Sequence, residues 1–176
     1  RMQNFTQNLL DYSRVNTTKE QKLEVVDLGS VVAEILSDLE IMKQQTGAHV
    51  ELGILPVIEA DRFRMGQLFL NLIGNAIKFH KKDGSPHVVK INSQRNTDGH
   101  WEITIEDNGV GFDESQSERI FKPFERLCGH SEYEGNGIGL AICWRIVENH
   151  GGKLTAKSQQ GEGSVFSVIL PEKQNI

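Results

Sequence analysis

The sequence predicts an α+β fold in which helices layer on one face of a mixed β-sheet. Three observations carry this. Apolar residues recur at helical spacing from Leu28 to Met42, from Met65 to Ala76, and through the segment Ile138 to Asn149. Short strand-like runs lie before, between and after these segments, and two pairs of them are joined by turn sequences. The chain has 176 residues, 38% of them hydrophobic and 24% charged, which suits one soluble domain with a proper core and a small appendage.

Taken in order, the elements begin with an apolar stripe. Met2, Phe5, Leu9 and Tyr12 are spaced by three, four and three residues, close to the seam of a coiled coil, so residues 1–16 predict a helix that needs a partner. Docking on its own domain would also bury that stripe. Residues 17–22 are polar and unpatterned, a linker to the main domain at 23–176. Leu23 to Val26 is a short strand and Asp27 an N-cap. Leu28, Val31, Val32, Ile35, Leu36, Leu39 and Met42 form one helix that Gly47 ends. Val50 to Leu52 and Val57 to Glu59 are strands. Asp61 caps a helix running to about Phe79. Val88 to Ser93 and Trp101 to Glu106 are strands joined by an Asn-Thr-Asp-Gly turn. A short helix covers Glu114 to Ile120, and a long loop from Arg126 to about Gly137 leads into the helix Ile138 to Asn149. Gly151-Gly152 ends that helix. The strands Lys153 to Ser158 and Ser164 to Leu170 close the chain.

Several function classes are excluded. A net charge of −5 gives no electrostatic case for nucleic acid. No apolar run reaches membrane-spanning length and no signal peptide opens the chain. Cys128 and Cys143 form no metal-type or redox pair by spacing, which fits a reduced cytoplasmic setting. The opening Arg1-Met2-Gln3-Asn4 reads as mid-helix sequence, so the chain is expected to be a piece of a longer protein, either soluble or membrane-anchored.

Three segments carry chemistry. Gly135, Gly137 and Gly139 alternate just before an apolar helix, and free N–H groups at a helix start, backed by its dipole, favour phosphate. A hinge or a plain capped turn would use the same residues. Gln67, Asn71, Asn75 and Lys78 share one helix face, with Asn71 and Asn75 one turn apart. An amide oxygen is a hard ligand suited to Mg²⁺, and a lysine one turn on can neutralise phosphate. A solvated helix face would show the same polarity, but two asparagines are poor helix formers and need a reason to be there. Asp107-Asn108-Gly109-Val110-Gly111 ends a strand. Its carboxylate can accept from an exocyclic amine such as adenine N6, and its glycines permit close approach of a base; an ordinary turn is the alternative.

Together the segments resemble the histidine kinases. Asn71-Leu-Ile-Gly-Asn75-Ala-Ile-Lys78-Phe79 is similar to their N box, Asp107-Asn-Gly109-Val-Gly111 to the G1 box, Phe121-Lys-Pro-Phe124 to the F box, and Gly135-Asn-Gly137-Ile-Gly139-Leu to the G2 box. The four occur in the family's order. The resemblance implies the Bergerat fold, a two-layer α+β sandwich with ATP between the helices and a mobile lid. Asn8-Leu-Leu-Asp-Tyr-Ser-Arg-Val resembles the end of the second helix of the family's dimerisation and phosphoacceptor hairpin. The run Phe124 to Gly135 is similar to lids of soluble, phytochrome-like kinases.

Roles follow from that resemblance. Asn75 would coordinate Mg²⁺, and Asn71 would support it or contact phosphate. Lys78 and Arg126 would meet phosphate charge, the main requirement of phosphoryl transfer. Asp107 would select adenine, with Gly109 and Gly111 close to the base. Gly135, Gly137 and Gly139 would shape the lid and phosphate loop, with Ile138 and Leu140 completing the ATP contact. Asn136 stands where the family often has Thr, and Phe79 where it often has Tyr. Phe124 would pack the base of the lid, although Phe121 and Phe124 also suit plain core packing.

The resemblance further implies a homodimeric parent, a response regulator receiver domain as partner, and phosphate transfer to a histidine supplied from elsewhere. His49, His80, His87, His100, His130 and His150 all lack the expected His-Glu or His-Asp context. Hydrolytic ATPases of the same fold place a glutamate where Asn71 stands and commonly an aspartate where Lys78 stands, which disfavours hydrolysis here. Serine kinases that bind sigma factors are disfavoured by the helix before the domain, and a non-catalytic nucleotide-binding module by the intact boxes.

Overall fold

The computed structural model describes residues 22–125 and 137–174. The helix expected over 1–16, the linker up to residue 21, and Arg126, Gly135 and Asn136 lie outside the described residues.

Among the described residues, seven strands and four α-helices follow in the order β1 (Leu23–Asp27), α1 (Leu28–Asp38), α2 (Glu40–Thr46), β2 (Ala48–Leu52), β3 (Val57–Asp61), α3 (Arg62–Lys78), β4 (His87–Arg95), β5 (His100–Asp107), α4 (Gly139–Asn149), β6 (Lys153–Gln159) and β7 (Gly163–Pro171). The main sheet has the order β2-β4-β5-β7-β6, with β2 parallel to β4 and every other pair antiparallel. It is the mixed sheet that the sequence predicts. Alternation gives it two unlike faces. Ile91, Ile105, Phe166 and Ala156 stand in one cross-strand row and Ile103, Val168 and Leu154 in the next, all buried. Glu102, Thr104 and Glu106 point the other way. The helices cover the apolar face, with α3 central against α1, α4 and β5.

Three details differ from expectation. β1 pairs only with β3, as a separate two-stranded sheet that places Val26 opposite Ile58 in the core. The chain after β7 is fastened to it, the Glu59 N–H donating to the Glu172 carbonyl at 2.9 Å. The helix expected from Leu28 to Gly47 breaks at Leu39 (φ −88°, ψ 5°). The apolar spacing runs on because Leu39 itself stays in the core, while α2 beyond it buries no residue fully. The helix expected over Glu114 to Ile120 is instead two single 3-10 turns, Glu114–Gln116 and Arg119–Phe121.

Capping follows the sequence. Asp27 accepts from the Gly29 and Ser30 N–H groups, and Asp61 accepts from Arg64 N–H at 3.0 Å. The far end of α4 is held by His150, which is fully buried. Its Nδ1 lies 2.7 Å from the Ile146 carbonyl and its Nε2 3.1 Å from the Asp61 N–H. Those partners require a neutral ring with the proton on Nδ1. Burial correspondingly holds its pKa below the ordinary value of 6.5. The unfolded chain then binds the proton more readily than the native one. Stability is expected to be complete above pH 6.5 and to decline as the pH falls below it, at up to about 1.4 kcal/mol per pH unit for one proton. Urea midpoints at pH 7.5 and 5.5 measure this; His150→Gln should flatten the difference.

Candidate functional site

α3 is amphipathic in an unusual sense. Phe63 is 75% exposed and Leu70 42% exposed on its outer side, while Gln67, Asn71, Asn75 and Lys78 are all half-buried. The polar face therefore lines a cleft, not open solvent. Asn71 Nδ2 donates to the Gln67 carbonyl at 3.0 Å, which turns its Oδ1 toward α4. A Cβ added at Gly139 would stand 2.9 Å from that oxygen. Glycine lets the first turn of α4 come this near the asparagine face without displacing the Asn71 side chain. At that turn the cap residue, Ile138, contributes no side-chain hydrogen bond, and no acidic residue is present. The helix start is left able to receive an anion. Ile138 itself is buried in the core, so its backbone is the part left for a ligand; Leu140 is half-buried against the same core.

The second half of the site is the loop after β5. Asp107 is 6% exposed. Its Oδ1 accepts from Gly109 N–H at 2.8 Å and its Oδ2 from Ser164 Oγ at 2.5 Å, and the Ser164 backbone N–H also bonds the carboxyl. Burial pushes its carboxyl above the usual range, against the lowering pull of Ser164, the Gly109 N–H and the nearby His87. Asn108 braces the strand beside it, accepting from Val88 N–H and donating to the Pro86 carbonyl, both at 2.8 Å.

The two halves meet at Phe79, the residue that ends α3. Its carbonyl accepts from Val110 N–H at 2.9 Å, and a Cβ at Gly109 would lie 2.2 Å from that oxygen. Lys78 Nζ sits 4.7 Å from the centre of the Phe79 ring. Gly109 and Gly111 were expected to admit a base. In the structure their missing side chains admit the protein's own backbone, Gly109 against Phe79 and Gly111 (φ +59°) against the Gln159 carbonyl.

The ends of the glycine-rich loop also meet. Phe124 N–H donates to the Gly137 carbonyl at 2.8 Å, and Gly137 takes φ +68° there. The ring of Phe124 is 55% exposed, so the base of this loop is closed by backbone, while Phe121 packs edge-on against Phe166 at 6.4 Å. Cys143 is fully buried and burial pushes its thiol pKa far up, which removes it from chemistry. A groove of about 630 Å³ between α4 and β6, lined by Phe121, Trp144, Arg145 and Lys153 among others, includes none of Asn71, Asn75 or Asp107.

The structure thus brings together Asn71, Asn75, Lys78, Phe79, Asp107, Gly109 and Gly139. Sequence reasoning missed the residues that hold them, Ser164, Asn108, His87 and the β6–β7 turn. Among the described residues no three His, Cys, Asp or Glu side chains gather as a metal cluster. Asn75, on the half-buried face, carries a neutral amide oxygen, a donor type that would suit Mg²⁺ shared with phosphates and water. Among the described residues no helix is long and apolar enough to cross a membrane.

Known proteins match this arrangement. Residues 60–174 match the family described as histidine kinase-, DNA gyrase B- and HSP90-like ATPase. The phytochrome-like protein Cph1 of Synechocystis is 41% identical over 170 residues, 97% of this chain and 22% of that protein, so the chain spans about a fifth of that relative's length. Full-length ShkA, solved in complex with AMPPNP, matches with a TM-score of 0.81 at 25% identity, over 96% of this chain and 35% of that one. The histidine kinase ThkA, solved with the response regulator protein TrrA, matches with a TM-score of 0.70 at 26% identity, over 98% and 47%.

Proposed function

The chain belongs to the histidine kinase-, DNA gyrase B- and HSP90-like ATPase family, and from that premise we propose that it is the ATP-binding catalytic domain of a sensor histidine kinase. It moves the γ-phosphate of ATP to a histidine on another segment of its parent or of a dimer mate, from which a response regulator receives it.

The observation that carries this reading is the contact of Asn71 with Gly139. It sets an amide, not a carboxylate, beside the helix start that faces phosphate. An amide can orient phosphate but cannot take a proton from water, so the arrangement favours transfer over hydrolysis. Asp107 accepts from the exocyclic amine of adenine. Lys78, with Arg126, balances phosphate charge, and Gly135, Asn136 and Gly137 enclose the phosphates. Asn75 would hold Mg²⁺, which would supply neutralisation of phosphate charge when bound. Two of the described histidines are poor acceptors. His87 and His150 are buried with both ring nitrogens engaged.

The test mixes the chain with a separate phosphoacceptor hairpin and radiolabelled ATP. The hairpin should be labelled and the chain alone should not; strong labelling of the chain alone refutes the reading. Asn75→Ala should lower Mg-ATP affinity about tenfold while leaving metal-free nucleotide binding nearly unchanged.

A further inference from the structure

We propose that His87 is a positioning residue for nucleotide binding: it ties the last turn of α3 to the loop that carries Asp107, and so holds the phosphate-facing and base-recognising halves of the site at a working distance. The inference rests on the reading of Asp107 given above.

His87 opens β4 and is 5% exposed. Its Nε2 lies 2.9 Å from the Ala76 carbonyl, and its Nδ1 lies 3.2 Å from Asn108 Oδ1. Ala76 follows Asn75 on α3, and Asn108 follows Asp107. The Ala76 carbonyl and Asn108 Oδ1 are both acceptors and a neutral imidazole carries a single N–H, so the ring bonds both at once only as the imidazolium. In that state one ring spans the residues adjacent to the two groups on which the site depends. The orientation of Asn108 is itself determined, because its oxygen faces the Val88 N–H and its nitrogen faces the Pro86 carbonyl.

The link also answers a need of the helix. The last carbonyls of α3 have no partner within the helix. The Asn75 carbonyl is met by Phe79 N–H, and the Lys78 carbonyl has His80 Nδ1 at 3.1 Å. The Ala76 carbonyl is met by His87, across from another element. An imidazolium is suited to this because its two N–H donors lie on different edges of one rigid plane. A leucine would fill the space and leave the carbonyl without its donor. The titratable and charged neighbours are few: Asp107, which feels the charge of His87, and His80, whose ring centre is 5.7 Å away.

A residue that only supports the fold would weaken every ligand alike. A residue that sets the spacing weakens the ligand that needs both halves at once. The measurement compares three ligands at about pH 5.5, where an imidazole can carry both ring protons: ATP with Mg²⁺, adenosine, and tripolyphosphate with Mg²⁺. For His87→Leu, ATP affinity should fall about tenfold while adenosine and tripolyphosphate stay within about twofold. Asn108→Ser cuts the same link at an exposed position and should show the same split; it decides the matter if His87→Leu does not fold. Equal losses for all three ligands, or no loss, overturn the proposal. Asp107→Asn runs alongside: unchanged adenosine binding there means that the reading of Asp107 has failed, whereas loss there with no split at His87 and Asn108 means that only the positioning role has failed.

Discussion

Asp107→Asn is expected to lower ATP affinity about a hundredfold while leaving the domain at least as stable at neutral pH. The two effects have one cause. The carboxyl is buried, and burial holds its pKa above the unfolded value of 3.8. A carboxylate raised in this way favours the folded state only while protonated. That contribution is full below the unfolded pKa and is lost as the pH rises through the folded one, so at pH 7 the ionised group opposes folding. An amide removes that opposition and keeps two of the local bonds: its oxygen still accepts from Gly109 N–H, and its NH₂ can donate to Ser164 Oγ, where the carboxylate accepts. What the substitution removes is the charged acceptor that the proposed function assigns to an exocyclic amine. Calorimetric titration with ATP, beside a thermal midpoint at pH 7, reads both quantities. Intact affinity with a midpoint several degrees lower would make Asp107 an ordinary turn residue.

A group kept at a cost to stability is a mark of function, and Asp107 shows how far such a mark can be read from sequence. Its type and its place at a strand end were legible, and so was the asparagine face of α3, because helical spacing puts residues one turn apart on one side. The bonds that hold Asp107 were not legible. Ser164 faces it across the β5–β7 pair, and no local pattern announces a partner 57 residues away. A weaker signal was available. His87 falls in step with Val89 and Ile91 on β4, and His150 follows Ile146 and Val147 on the buried stripe of α4. Period alone therefore places both histidines inward, where a polar ring needs partners. The break at Leu39 was hidden for the opposite reason: the apolar pattern continues through it because the core continues through it. The separation of β1 and β3 from the main sheet depends on which strands pair, which short runs do not state.

Gly111→Ala is expected to destabilise the domain by about 4 kcal/mol. Two costs combine there. The backbone sits at φ +59°, a left-handed conformation that an L side chain adopts at about 1–2 kcal/mol. The new Cβ would also stand 2.1 Å from the Gln159 carbonyl oxygen and 2.8 Å from that of Gly163, both backbone atoms with little freedom to give way. Gly84 separates the terms. Its φ is +79° but nothing lies within 4 Å, so Gly84→Ala should lose only about 1 kcal/mol. The damage at Gly111 should extend to the ligand. The loop is clasped by the β6–β7 turn: Gly161 N–H donates to the Val110 carbonyl at 2.7 Å, and Phe112 N–H donates to Ser158 Oγ, which in turn donates to the Gly163 carbonyl, both at 2.8 Å. Prising the loop from that turn moves Asp107 and Ser164 apart, since they belong to the two clasped segments. Denaturant unfolding of the two alanine variants, with ATP titration of each under native conditions, measures both consequences. Equal losses at Gly111 and Gly84 would show that backbone conformation alone, and not the clasp, shapes this side of the site.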